Sequence, residues 1–150
     1  MTLKEQLHTD MTTAMKARDE VRLATLRMAL TAVTNEEVAG RQSRELSDDE
    51  VLKVLARELK KRKEAAAAFS DAGQSDRAAA EMSEASVLDA YLPAQLSDDE
   101  LTALVTAAVE EIGAAGPPAM GAVMKVVQPQ IAGRADGSRV AAEVKRQLGL

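Results

Sequence analysis

The chain has 150 residues, enough for one domain or two small ones; 46% are hydrophobic but only 1% aromatic, with one Phe, one Tyr and no Trp. It contains no cysteine, which excludes disulfides, thiolate catalysis and cysteine-ligated metal. Its formal charge of −5 excludes a global positive field drawing it onto nucleic acid.

A core must therefore be built from Ala, Leu, Val and Met, which suit close helix packing. No apolar run approaches the roughly 18 residues of a membrane span, and the opening Met-Thr-Leu-Lys-Glu lacks a signal peptide's apolar stretch. The expectation is a soluble cytoplasmic protein with no membrane role.

Apolar residues recur at helical spacing from end to end, and no alternating segment competes for strand. The first predicted helix runs from about Thr2 to Lys16. The second runs from about Asp19 to Ala39, with Leu23, Leu26, Leu30 and Val33 on one stripe and Gly40 as its C-cap. Ser47 and Glu50 form a capping box that opens a third helix, from Asp48 to about Ser70. The fourth begins after Gly73 and ends near Tyr91, where Pro93 breaks the chain. A second capping box, Ser97 with Glu100, opens the fifth helix, which ends at Ile112. The residues after the two boxes diverge at once, so they do not mark an internal repeat. The sixth helix carries Met120, Val123, Met124, Val127 and Ile131, and Pro129 is expected to tighten or stop its last turn. After Gly133-Arg134-Ala135-Asp136-Gly137, a seventh presents Val140, Val144 and Leu148 on one face. The fold class is all-α: an N-terminal antiparallel helical bundle over residues 1–92, then a compact three-helix unit over 93–150.

Catalytic side chains are few. His8 is the only histidine and lies among polar residues, so it reads as a solvated helix position. With one His and no Cys, the usual zinc ligand sets are missing, and neither metal nor cofactor is expected. There is no Walker-type loop or dinucleotide fingerprint, and the stretch from Gly133 to Gly137 reads as a tight turn between packed helices. Glu81 and Glu84 share a helix face and could hold a divalent ion or act as an acid and base. Ion pairing to Arg22, Arg27, Lys60 and Arg62 across the bundle accounts for them without chemistry. Met11, Met15, Met28, Met82, Met120 and Met124 mostly fall on apolar stripes, where core packing is expected. Lys60-Lys61-Arg62-Lys63 forms a local basic run, with Glu58 and Glu64 at its edges.

Several pieces then add up in order and spacing. They are Thr25-Leu26-Arg27, Asn35 with Glu37-Val38, Leu46-Ser47-Asp48-Asp49-Glu50, Lys60 and Arg62, and Glu81, Glu84 and Leu88. They continue through the distinctive junction Tyr91-Leu92-Pro93 with Gln95-Leu96, then Met120-Gly121 with Val123-Met124, and Gly133 to Gly137. On these residues the chain resembles, over nearly its whole length, the GatB/YqeY family, related to the tail domain of the tRNA-dependent amidotransferase B subunit. The resemblance implies an all-helical fold and a link to the amidation of mischarged Glu-tRNA(Gln) or Asp-tRNA(Asn). Family members carry the label of carbon–nitrogen ligases with glutamine as amido-N-donor. No residue pattern here supports that activity for this chain alone.

The expectation is a non-catalytic module that binds tRNA or a tRNA-charging or amidotransferase complex. Phosphate contacts are then expected from Lys125, Arg134, Arg139, Lys145 and Arg146. From Pro93 onward those five cations face seven acidic residues, a net of −2, so binding should be salt-sensitive. A protein-interaction adaptor with no nucleic-acid role is the alternative. A third reading is a lone enzyme using Glu81, Glu84, Lys60 and Arg62. Nothing in the sequence demands more than a monomer.

Overall fold

The computed structural model describes residues 1–113, 115–131 and 133–150. Among the described residues there are seven helices and no strand: α1 (Leu3–Lys16), α2 (Glu20–Glu37), α3 (Asp48–Asp71), α4 (Ser75–Asp89), α5 (Asp98–Ile112), α6 (Ala119–Ile131) and α7 (Gly137–Leu148). The protein is all-helical, and its chain divides into two compact units, Met1–Leu92 and Pro93–Leu150.

In the first unit, α1 starts at a capping box in which Thr2 and Glu5 satisfy each other's backbone N–H groups, and Ser47 with Glu50 does the same for α3. The strongest packing joins α3 to α4 across a short turn closed by Gly73, whose φ of 76° suits a residue without Cβ. Leu7 of α1, Leu26, Ala29 and Val33 of α2, Val51 and Leu55 of α3, and Ala85 and Leu88 of α4 meet in one core. All eight are nearly or fully buried, and of the stripe expected on the second helix Leu26, Leu30 and Val33 are buried while Leu23 is only partly so.

Two local expectations need correction. The second helix ends at Glu37 with Val38 as C-cap, and Gly40 lies beyond it, outside the left-handed region. The Glu37 carboxylate accepts from the Leu46 N–H (3.3 Å), and the Glu37 carbonyl accepts from the Arg44 N–H (3.0 Å). These bonds turn the chain immediately after Glu37, so no glycine cap is needed. Among the methionines, Met11 packs against this core, but Met15, Met28 and Met82 are about half exposed rather than core residues.

The second unit has its own core. Leu96, Leu101, Val105, Ala108, Ala119, Val123, Val127, Ile131, Val140, Val144 and Leu148 are buried together, with Met120 and Met124 against them. Ser97 and Glu100 cap α5 as expected, and Gly113 (φ 67°) closes it in the left-handed conformation. Pro129 lies in the last turn of α6, which ends at Ile131. In α7, Val140, Val144 and Leu148 all face inward. No helix among the described residues is long and apolar enough to cross a membrane.

Candidate functional site

The expected polar network forms around one residue. Arg62 is 4% exposed, because its place on α3 points it into the bundle rather than to solvent with its neighbours. Its Nη1 donates to the Glu58 carboxylate (2.9 Å) and to the Glu58 carbonyl (3.1 Å) one turn earlier. Its Nη2 reaches the Met28 sulfur of α2 (3.6 Å), and its Nε lies 3.3 Å from the Glu84 carboxylate of α4. The Nε hydrogen is not aimed at that oxygen, so Nε makes an ion pair but no hydrogen bond. Burial pushes the Glu58 carboxyl up, but hydrogen bonds from Arg62 and Lys61 outweigh it and hold the group below its ordinary 4.5.

The other expected members are dispersed. Glu81, half-buried on α4, makes no ion pair with a described residue, while Arg27, Asn35 and Lys60 are exposed. Arg22 belongs to a different cluster. There the Tyr91 hydroxyl, just past α4, donates a short hydrogen bond to Asp10 of α1, with Arg22 of α2 adding its charge beside them. Burial, then the Asp10 carboxylate, push the Tyr91 hydroxyl up to about 12. Glu37 forms a third cluster: 8% exposed, it accepts from Lys4 of α1 (2.8 Å), whose ammonium holds its carboxyl below the ordinary value. Glu58, Asp10 and Lys4 were missed by sequence reasoning. The Glu58–Arg62 spacing of four was a readable signal, but pairs 81 and 33 residues apart give none.

In the second unit, three of the five expected phosphate contacts have partners within the unit, and two of them, Arg139 and Arg134, link separate segments. The Arg139 guanidinium donates to the Leu96 carbonyl (3.0 Å) and to Asp98 (2.9 Å), tying α7 to the start of α5. Arg134 donates to the Ala94 carbonyl (3.4 Å) and lies 3.7 Å from Glu100. Arg146 pairs with Glu143 one turn earlier on α7. Gln147 accepts from the Thr106 hydroxyl (3.0 Å) and donates to the Thr102 carbonyl (3.0 Å) and to Glu143 (2.9 Å), completing a polar seam between α5 and α7. The Arg146 guanidinium, then Gln147, draw the Glu143 carboxyl down to about 2. Lys125 and Lys145 are exposed. No group of three or more His, Asp or Glu among the described residues is arranged to hold a metal ion.

The junction residues also hold structure together. The Leu96 N–H donates to the Arg134 carbonyl (2.7 Å), and the Gln95 amide to the Gly133 carbonyl (3.2 Å). The glycine turn thus clasps the start of the second unit. These are the residues on which the resemblance rests, and the family model described as Yqey-like protein matches residues 4–148. The chain belongs to the YqeY-like family. That family is related to the tail domain of the amidotransferase B subunit. Among curated proteins none matches the chain. In this YqeY-like chain the motif residues fall into three structural roles. Leu26, Leu88 and Leu96 are core, Glu37, Arg62 and Tyr91 anchor buried polar contacts, and Arg134 clasps a turn.

Proposed function

We propose that this YqeY-like protein is a binding module, not an enzyme acting alone, whose partner is tRNA or a complex that amidates tRNA in the Glu-tRNA(Gln) or Asp-tRNA(Asn) pathway. The observation that carries the proposal is the family match over residues 4–148, which spans both units of a family related to the amidotransferase B tail. The chemistry of the polar residues agrees. A general base needs a free lone pair close to where a proton must leave, whereas Glu58 and Glu84 face a buried guanidinium. Buried ion pairs of this kind fix helix register, and Arg62 joins α3 to α4 in that way.

The test is a fluorescence-anisotropy titration of labelled total deacylated tRNA with the full chain at about 50 and 200 mM salt, the range in which phosphate contacts show their slope. Saturable binding that weakens steeply at the higher salt is expected. No binding at the lower salt contradicts the proposal. A protein adaptor is the competing reading, favoured by the half-exposed Met15, Met28 and Met82 on the first unit, since methionine adapts to varied partner surfaces. It predicts a partner that co-purifies from lysate unchanged by ribonuclease.

A further inference from the structure

Charge in this protein is unevenly placed. Residues 53 to 63 hold six of the 19 lysine and arginine residues and one of the 24 acidic residues, a net of +5, so the rest of the chain carries −10. The structure sorts these cations onto one side of α3. Positions 53, 57, 60 and 61 fall on a single helical stripe, with Lys63 at its edge; all five cations are exposed, and the exposed Glu64 is the acid that shares the stripe with them. Val51, Val54, Leu55, Leu59 and Arg62 occupy the opposite, buried side. Glu58, the one acid within the segment, is turned toward Arg62 and its side chain is only 15% exposed, with only the Lys61 ammonium reaching it from the outer side. Arg57 (60% exposed side chain) pairs with Glu36 at 3.3 Å, and Lys61 (71%) with Glu58 at 3.3 Å. Exposed pairs of that kind contribute about 0–1 kcal/mol and exchange readily for another anion. Lys53 and Lys63 make no ion pair with a described residue.

We infer that the outer face of α3 is an RNA-binding surface that contacts the phosphate backbone of a nucleic-acid strand through Lys53, Arg57, Lys61 and Lys63. The inference rests on the RNA partner proposed above and moves its main contact from the second unit to the first. Ten residues of helix rise about 15 Å, enough to lie along several phosphates of one strand. The stripe is rich in lysine and has no aromatic or large apolar side chain, only Ala56 at its margin. Protein interfaces are depleted in lysine and need a buried apolar anchor, whereas phosphate contacts need neither aromatic nor apolar groups. The occupant that fits is therefore a polyphosphate strand, read without base specificity.

The experiment compares the wild-type chain with a Lys53→Ala, Lys61→Ala, Lys63→Ala triple variant and a Lys125→Ala, Lys145→Ala double variant. Each is titrated against labelled tRNA and labelled oligoadenylate at several salt concentrations, with helicity checked by circular dichroism. The triple variant is expected to weaken tRNA binding at least about tenfold at 50 mM salt and to flatten the salt slope by about 2–3, while the double variant changes neither by more than about twofold. Wild-type-like tRNA binding by the triple variant overturns this surface and leaves tRNA binding itself intact. Loss of both ligands in the triple variant, when the wild type prefers neither, sustains the surface and overturns tRNA as the partner. No RNA binding by the wild type overturns both and leaves an acidic protein segment as the ligand class for the stripe.

Discussion

Tyr91 is the only tyrosine, so its ionisation can be followed alone by ultraviolet absorbance. Burial and Asp10 hold its hydroxyl at about 12, so its tyrosinate signal should have a midpoint near that value, and Asp10→Asn should bring it down. The sign follows from linkage: stability from the neutral hydroxyl is complete below about 10 and is lost as pH rises through about 12. A midpoint near 10 with helicity retained would contradict the Asp10 contact. Arg62 makes the sharper mutational prediction. Arg62→Ala leaves Glu58 and Glu84 without their shared cation inside the bundle and should cost about 3 kcal/mol, measured by urea unfolding. Glu84→Gln removes a carboxylate still partly in water and should cost under about 1 kcal/mol. At this scale the sequence was half legible. A face shared by Glu81 and Glu84 followed from spacing, but which of them meets Arg62 depends on the rotation of α4 against α3, and helical periodicity does not fix that.

Helix starts were the most legible elements, because capping is local chemistry: a hydroxyl at N-cap and a carboxylate three residues on suffice. Ser97→Ala should therefore destabilise the second unit by about 1 kcal/mol, read from its thermal unfolding, and a change under a few tenths would show that the box contributes nothing. Helix ends were less legible. Gly40 looked like a cap, but bonds from Leu46 and Arg44 to Glu37 end α2 earlier, and they form only when the loop folds back on the helix end. The α5–α7 seam was invisible because Thr102, Thr106, Glu143 and Gln147 meet only once both helices pack. Glu143 gives the seam a pH signature. Its carboxyl is drawn from 4.5 to about 2, so the stability it supplies is complete above about 4.5 and lost as pH falls toward 2. Glu143→Gln should make melting less acid-sensitive over that window, and an unchanged acid profile would refute the assignment.

For the whole molecule, the aliphatic stripes, the near-absence of aromatics and the lack of alternation made the all-helical fold readable. The separate cores, one in each unit, are built from those stripes. Function was less readable, since charge alone does not say which cations hold the fold together and which face a partner. Arg134, Arg139 and Arg146, expected from sequence as phosphate contacts, each have a carbonyl or carboxylate partner within the second unit that periodicity does not show. The basic run on α3 was visible in sequence, but its division into one inward arginine and an outward row of cations was not. Whether tRNA binds on the proposed α3 face is therefore the central question, and lysine-acylation footprinting with and without saturating tRNA, read by mass spectrometry, tests it most directly. Protection of Lys53, Lys61 and Lys63, with Lys125 and Lys145 labelled as before, is the predicted result. Protection confined to Lys125 and Lys145, or no protection anywhere, would contradict it.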